Sequence, residues 1–403
     1  KYHRMLVLLN VFLLFGIICN ARSVKEDQNN IRRRRLFGKD VYRIAAFGGA
    51  NVWGLGDHLP SRFAAFPYLL SETVDNYGSV STGSNYNSVC TESILGDERV
   101  YDIILLDFCH VVEPNVLHLA KRLRTRFPNA LIVFVKYWRP LHIQRTSPTN
   151  QFHTINLLTW METRGLSNWT SDSFKDDITV DDGVWTDQRD TDGMGDLYYE
   201  YASQVGGEVV ELEPITGRVQ DVLAGHGHLF TKSTLMSKDG HEHMAAQIKS
   251  LIDSKVLSTD NSDSIGTYGE GDKCHVWFTT GNIGDIAHTG SNLHEYDTHH
   301  GKFAMEFAGE GTIELKNPFD SARDVFLSFL VSSTSGVYPD VKVFGFSIDV
   351  TISTVGSESW SFDYVKTVGI GSLQPGNNVL TITPNFTSSD QLPFRLVGVS
   401  LPD

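Results

Sequence analysis

Two kinds of side chain in this sequence, cysteine and histidine, could act as a nucleophile, a base or a metal ligand. Cys109 and His110 follow the apolar run YDIILLDF, residues 101–108, and a cysteine with a histidine base makes a sound nucleophile. Adjacent strand residues point to opposite faces, however, so His110 could not readily serve Cys109. We therefore interpret Cys109 as a buried, inert thiol and keep His110 as a candidate ligand contact.

Paired histidines raise a second possibility, a metal site. The pairs are His226 with His228, His241 with His243, and His299 with His300. Zinc needs three or four converging ligands, whereas these pairs fall in loops, at a helix start and in different parts of the chain. The acidic run DQRDTDGMGD, residues 187–196, also fails as a calcium loop, because Gln188 and Tyr199 occupy its first and last ligand positions. The sequence predicts neither a metal nor a cofactor.

The elements that would position a site begin with RIAAFGGANVWGLGDHLPSRFAAFPYLL, residues 43–70. Its first residues form an apolar run bounded by glycines, which predicts a buried strand followed by a tight turn. The apolar residues that then recur at helical spacing are Phe63, Phe66, Leu69 and Leu70. Ligands of such a strand, turn and helix gather beyond the carboxyl end of the strand. This makes Gly49, Asn51 and Trp53 candidate ligand contacts.

The chain continues as an alternation of apolar runs and helical patterns. Further strands are predicted at residues 73–77, 101–108, 130–135 and 208–212, and helices at 114–127, 197–205 and 244–252. Residues 138–196 form a long, polar insertion in this pattern. The alternation predicts a three-layer α/β domain with a parallel sheet over residues 41–255.

The last third of the chain has a different character. Residues 256–271 have the composition of a linker. Beyond it, short apolar runs alternate with Gly, Pro, Asn and Asp turns, at residues 303–307, 312–315, 325–331, 341–346 and 379–382. No convincing helical pattern interrupts them, so residues 272–403 are predicted to form an all-β sandwich of the jelly-roll kind.

The motif FGGANVWGLG followed by FPYLL, residues 47–56 and 66–70, resembles block I of the SGNH (GDSL) hydrolase superfamily. In that pattern the first strand ends in Gly-Asp-Ser-x-x-x-Gly. Gly48 and Gly54 match the two glycines, Gly49 takes the place of the aspartate, and Ala50 stands where the nucleophilic serine belongs. The resemblance implies a flavodoxin-like fold and an esterase or lipase site whose nucleophile is replaced.

A late block of the same family, DxxHLSxxGHxxxA, supplies the catalytic aspartate and histidine. The run KSTLMSKDGH, residues 232–241, fits this frame, with Ser237 and the pair Gly240 and His241 in register. Lys232 then replaces the aspartate and Leu235 the histidine. A pairing of Asp239 with His241 or His243 has the wrong spacing, and Asp239 and His241 are kept as candidate ligand contacts.

The family's oxyanion hole is made by an asparagine and a glycine amide. In the strand frame of residues 101–112 the asparagine position is occupied by Val111. Gly83 fits the glycine position and is the one group that the resemblance would retain. The replaced positions Ala50, Val111, Lys232 and Leu235 together imply a degenerate catalytic site.

A second resemblance concerns the C-terminal part. The run SLQPGNNVLTITP, residues 372–384, resembles the penultimate turn and strand of jelly-roll carbohydrate-binding modules. If the likeness extends to function, exposed aromatic rings would stack on sugar faces. Trp277, Trp360 and Tyr364 are the candidate contacts, although core packing is the commoner fate of a tryptophan in a sandwich.

The N-terminal residues predict entry into the secretory pathway. Residues 1–21 combine Lys1 and Arg4 with an apolar run too short for a bilayer span, which is typical of a signal peptide, with a signal anchor as the alternative. Residues 22–40 form a basic stem. Asn168 and Asn385 lie in glycosylation motifs. Removal of Cys19 would leave Cys90, Cys109 and Cys274, hence one disulfide at most, with its pairing open.

The net charge of the chain limits the classes of molecule that it can bind. A net charge of -14 argues against nucleic acid, which requires a basic surface. We expect a secreted or lumenal protein that binds glycan or an acylated ligand without hydrolysing it, and that contacts a membrane only if its N-terminal segment stays uncleaved. The alternative is an active esterase that acts on acylated carbohydrate or lipid through a rearranged site.

Overall fold

The computed structural model describes most of the chain from Tyr42 to Pro402. The described residues are 42–54, 62–79, 82–96, 99–108, 114–137, 143–146, 154–156, 185–187, 194–211, 216–217, 229–231, 235–255, 273–278, 281–284, 286–298, 301–345, 347–356 and 363–402. The predicted signal segment, basic stem and linker lie outside them, as does Asn168. Within the described residues no helix has the length and apolar character needed to cross a membrane.

A five-stranded parallel sheet forms the centre of the first domain. Its strands are β1 (Arg43–Gly48), β2 (Thr73–Asn76), β3 (Ile103–Asp107), β4 (Leu131–Lys136) and β8 (Glu208–Glu211). They are ordered β2-β1-β3-β4-β8, and every neighbouring pair is parallel. The apolar runs of β1, β3 and β4 are buried because helices cover the sheet, which is why they read as continuous rather than alternating. This order is that of a flavodoxin-like fold, as predicted.

The helices of this domain connect and cover the strands. They are α1 (Ala50–Trp53), α2 (Phe66–Leu70), α3 (Ser84–Val89), α4 (Thr91–Leu95), α5 (Pro114–Arg126), α6 (Met194–Val205) and α7 (Lys238–Ser254). A 3₁₀ turn, Arg62–Ala64, precedes α2. Helix α7 begins earlier than predicted because Ser237 caps it, its hydroxyl accepting a hydrogen bond from the Gly240 amide at 3.1 Å.

Short strands complete the first domain. They are β5 (Ile143–Thr146), β6 (Thr154–Asn156), β7 (Trp185–Asp187) and β9 (Thr216–Gly217), which form an antiparallel sheet, and β10 (Phe230–Thr231) and β11 (Leu235–Met236), which form a second one. Strands β5, β6 and β7 fall in the predicted polar insertion, where the sequence pattern indicated no regular structure.

The second domain consists of two antiparallel sheets. One contains β12 (Lys273–Val276), β14 (Asn292–Asp297), β15 (Lys302–Phe307), β17 (Arg323–Val331), β20 (Tyr364–Leu373) and β22 (Phe394–Leu401). The other contains β13 (His288–Thr289), β16 (Gly311–Asn317), β18 (Asp340–Gly345), β19 (Ile348–Ile352) and β21 (Gly376–Asn385). Alternate residues of β16 and β21 face a shared apolar core between the sheets. The predicted all-β sandwich is confirmed.

A disulfide joins the two domains. It connects Cys90, at the end of α3, to Cys274 in β12, across a sequence separation of 184 residues. The Cys274 amide also donates a hydrogen bond to the Ser93 hydroxyl at 3.1 Å. The sequence left the pairing of three cysteines open, and the structure selects this one; Cys109 lies outside the described residues.

We predict that this bond holds the two halves together after cleavage of the chain. A protease site placed within the predicted linker, residues 256–271, should yield two fragments that co-migrate on a non-reducing gel and separate once reductant is added. Cys274→Ser should separate them without reductant. It should also lower the free energy of unfolding by roughly 2–5 kcal/mol, because the unfolded chain loses a long-range crosslink. Separation of wild-type fragments without reductant would rule out the Cys90–Cys274 pairing.

Candidate functional site

The candidate site lies beyond the carboxyl end of β1, where the chain turns into α1. Gly48 is the last residue of β1, and a Cβ atom there would lie 2.5 Å from Val52 Cγ2 and 2.6 Å from the Asp107 carbonyl oxygen. Only glycine permits this approach. It brings α1 directly against the end of β3, so that Ala50 opens α1 at the ligand end of the sheet.

Asn51 fastens α1 to its surroundings. Its Nδ2 donates to the Tyr137 hydroxyl at 2.5 Å, and its Oδ1 accepts from the Met236 amide at 2.9 Å. The Tyr137 hydroxyl in turn donates to Asp107 Oδ2 at 3.3 Å. The Asn51 side chain is only 1% exposed. Both ends of the Asn51 amide are thus used to hold the site together, and its role as a ligand contact stays a prediction.

Two positions that the SGNH pattern assigns to catalysis come together here. The hydrogen bond from the Met236 amide to Asn51 joins the residue after Ala50 to the residue after Leu235. Ala50 and Leu235 are both half-buried, so neither is sealed in the core. In the SGNH pattern these two positions are those of the nucleophile and its base. Val111, Lys232 and His110 lie outside the described residues.

Residues 77–79 run along the end of β1, and the Thr82 hydroxyl donates a hydrogen bond to the Ser79 carbonyl; these residues, together with Gly83, are called the wall segment below. The Tyr77 amide donates to the Ala46 carbonyl at 2.8 Å, and the Ser79 amide to the Gly48 carbonyl at 2.9 Å. These bonds carry the wall segment along the end of β1. Gly83, its last residue, precedes the first turn of α3 and is half-buried.

His241 is buried in the interior. Its ring is 0% exposed and stacks on Phe66 at 5.9 Å, and Nδ1 accepts a hydrogen bond from the Phe66 amide at 3.2 Å. Burial lowers its pKa to about 4 from the ordinary 6.5. The ring lies between α7 and α2, and the ligand contact expected of His241 stays a prediction. Asp239 is exposed on the first turn of α7.

The glycine before this histidine has a packing role. A Cβ atom at Gly240 would lie 2.1 Å from the Leu229 carbonyl oxygen, and the same carbonyl accepts the Ser237 amide at 2.9 Å. The glycine of the Gly-His pair that matched the family frame therefore lets α7 lie against Leu229, the residue before β10. Gly49 and Trp53 occupy the turn and α1, with Gly49 buried and Trp53 half-buried.

The aromatic candidates of the second domain are mostly buried. Trp277 is completely buried in the sandwich core, and its Nε1 donates to the Leu396 carbonyl at 2.8 Å. Tyr364 is also buried in this core. Both residues are used for core packing in this structure, and the sugar contacts expected of them stay predictions. Trp360 lies outside the described residues.

Other aromatic rings are exposed instead. Phe63 was placed on a buried helix face by its spacing, but it lies in the 3₁₀ turn, 64% exposed, with Tyr68 packed against it at 5.1 Å. Phe386 is 39% exposed and borders a shallow hollow of about 510 Å³ in the second domain. The sequence signal for Phe386 was its position in the turn after Asn385.

The possibility of a metal site finds no geometric support in the part of the chain that the structure describes. No three His, Cys, Asp or Glu side chains converge there. His241 and His243 share a helix but not an environment, because His243 is exposed and hydrogen-bonded to Gln247 at 2.9 Å. The other two histidine pairs lie outside the described residues.

Comparison with known proteins identifies the architecture. No protein-family model matches the chain, and no curated protein does. A two-domain esterase (CEX) active on acetylated mannans has a similar structure, with a TM-score of 0.53 and 13% identity, over 93% of this chain and 95% of that one. The chain has the fold of this two-domain esterase.

Further structures extend the comparison. The two-domain esterase co-crystallised with mannopentaose gives a TM-score of 0.53 and 13% identity, over 90% of this chain and 91% of that one. A family 35 carbohydrate binding module from Clostridium thermocellum covers 32% of this chain with a TM-score of 0.22. The TM-score of the carbohydrate binding module is too low to support any conclusion. The similarity to the esterase is a similarity of fold.

The environment of His241 predicts a pH-dependent stability. Unfolded, the ring takes up a proton below pH 6.5, whereas the folded protein resists protonation down to about pH 4. Stability is therefore full above pH 6.5 and falls as the pH decreases towards 4. Between pH 7 and pH 5 the loss from this group should be about 2 kcal/mol.

Urea unfolding at several pH values measures this effect. His241→Asn removes the titrating ring, while its amide oxygen can still accept from the Phe66 amide, so its stability should fall less between pH 7 and pH 5. His243→Asn, on the exposed face of the same helix, is the matched control and should lose as much unfolding free energy between pH 7 and pH 5 as the wild type does. An equal loss in all three proteins would contradict the role assigned to His241.

Proposed function

We propose that this protein is a secreted or lumenal, SGNH-hydrolase-like protein that binds glycan or an acylated carbohydrate without hydrolysing it. The observation that carries the proposal is the hydrogen bond from the Met236 amide to Asn51 Oδ1, which brings the sequence neighbours Leu235 and Ala50 to the ligand end of β1. The fold provides the place for a nucleophile and a base, and the side chains in that place contain no group that can attack or accept a proton.

The chemistry of ester hydrolysis supports the absence of activity in this proposal. The serine oxygen must attack the carbonyl carbon, and the histidine must take the serine proton and later give it to the leaving group. A methyl group has no lone pair to form the new bond, and an isobutyl group has none to accept the proton. In the proposed alignment Val111 also replaces the side-chain donor for the oxyanion.

A carbohydrate ligand is supported by the likeness to the acetyl-mannan esterase. The alignment covers both domains of each protein, so the combination of a parallel-sheet domain and a sandwich is shared. The exposed rings of Phe63 and Phe386 offer flat apolar faces of the kind on which sugar rings stack. An acidic surface is compatible with a neutral saccharide.

Secretion is supported by the disulfide. Disulfides persist mainly in oxidising compartments, and Cys90 and Cys274 form one in this structure. The predicted signal segment at residues 1–21 would deliver the chain there. Asn385 is exposed at the end of β21, and it is accessible for the glycosylation that its motif predicts.

An active esterase is the second candidate, because the similar structure belongs to an enzyme. Such an activity would use a rearranged site on acylated carbohydrate or lipid. The residues that would have to supply it, including Cys109 and His110, lie outside the described part of the chain.

Labelling with a fluorophosphonate distinguishes the two candidates. The probe reacts with an activated serine, so the wild-type chain should not be labelled and its ester turnover should stay near background. Ala50→Ser alone should also fail, because a serine without a base is a weak nucleophile. The triple variant Ala50→Ser, Lys232→Asp, Leu235→His should be labelled.

The double variant Lys232→Asp, Leu235→His, which keeps Ala50, is the matched control and should remain unlabelled. Labelling of the wild-type protein, traced by peptide mapping to a serine, would establish the esterase and overturn the proposal. Labelling with a thiol-reactive ester analogue at Cys109, with turnover, would do the same.

Ligand binding is tested with the full chain. We expect mannopentaose or acetylated mannan to bind, and Phe63→Ala or Phe386→Ala to weaken the affinity roughly tenfold, depending on which domain binds. Val379→Ala, at an exposed apolar residue of β21, is the control and should bind as the wild type does. Calorimetry measures each affinity. No binding to a broad panel of plant and microbial polysaccharides would refute the carbohydrate assignment.

A further inference from the structure

The beginning of the wall segment is attached to the central sheet of the first domain. Tyr77 and Ser79 bond to the carbonyls of β1 as described above. Gly78 lies tightly against α1, where a Cβ atom would meet the Trp53 amide nitrogen at 2.8 Å. The position of residues 77–79 is therefore set by the central sheet.

The opposite end of the wall segment is attached to the second domain. Thr82 forms a parallel backbone bridge with Val365 in β20. Both residues are buried, and the Thr82 hydroxyl donates to the Ser79 carbonyl at 2.8 Å. The wall segment is thus attached to β1 of one domain through residues 77–79 and to β20 of the other through Thr82.

The helix that follows is fixed to the second domain as well. Helix α3 begins after Gly83 and ends at Cys90, which is disulfide-bonded to Cys274 in β12. Strands β12 and β20 belong to the same sheet. On its other side α3 packs against α5, where Arg122 Nη1 donates to the Ser88 carbonyl at 2.6 Å. One sheet of the second domain therefore holds the segment from Thr82 to Cys90 at both ends.

We infer that the second domain is a structural part of the candidate site, in which Val365 is a positioning residue for the wall segment and for Gly83. Two domains joined by a linker are expected to move relative to each other unless their interface is extensive. Here the backbone bridge and the disulfide bracket α3, so the sheet of the second domain sets where one side of the site lies. This inference rests on the proposed function only for the location of the site.

The inference predicts a specific pattern of amide hydrogen exchange in the full chain without ligand. Val365→Lys places a charge at the buried bridge, and peptides that cover residues 77–89 should then exchange at least about tenfold faster. Peptides from α5 should keep their wild-type protection, because that helix packs on the first domain's own sheet. Val365→Ile retains a branched apolar side chain and should restore the wild-type exchange of residues 77–89.

The control is Val379→Lys, at an exposed position of the other sheet, which should leave residues 77–89 unchanged. Unchanged exchange of residues 77–89 in Val365→Lys would overturn the inference and show that the first domain alone holds the wall segment. If Val365→Lys unfolds the second domain, Val365→Ala decides by the same criterion. Since no ligand is present, failure of the glycan-binding proposal would leave this result unaffected.

Discussion

The close backbone approach at the end of β1 is the constraint on which the rest of the site depends. Gly48 leaves no space for a side chain between Val52 and the Asp107 carbonyl. Because of that contact, α1 starts directly above the central strands, within reach of three groups that come from distant parts of the sequence. The amide of Met236, the hydroxyl of Tyr137 and the wall segment all bond to backbone or side chains that Gly48 has placed.

Much of the fold could be predicted from the sequence because burial leaves a clear signal. Strands β1, β3 and β4 are covered on both faces, and their continuous apolar runs indicate this. In the sandwich, β16 and β21 are covered on one face, and they show an alternating pattern. The start of α7 was missed because it depends on the Ser237 cap and not on apolar spacing. The antiparallel strands of the insertion, such as β5, were missed because their residues are polar.

The environments of individual side chains were harder to predict, because residue type does not reveal which neighbours a side chain will contact. His241 is the residue type of a general base, yet its ring packs on Phe66 and accepts a backbone amide. Trp277 is the residue type of a sugar platform, yet it fills the sandwich core. Phe63 has the spacing of a core residue, yet its side chain is exposed. The reason is that the chain forms a short 3₁₀ turn at this point instead of a long helix. The Cys90–Cys274 pairing depends on how the domains dock, which no local pattern contains.

The bond between Cys90 and Cys274 also sets an order of assembly. Synthesis proceeds from the N-terminus and domains generally fold as they emerge, so Cys90 takes its place while its partner, 184 residues later, does not yet exist. During that interval Cys109 is the nearer thiol along the chain, and a shorter loop closes at a smaller entropic cost. In an oxidising environment, pairing of Cys90 with Cys109 would therefore compete with pairing of Cys90 with the later-synthesised Cys274. The Cys90–Cys274 bond forms only where the sandwich docks before Cys90 pairs with Cys109, or where thiol exchange later replaces that local pairing.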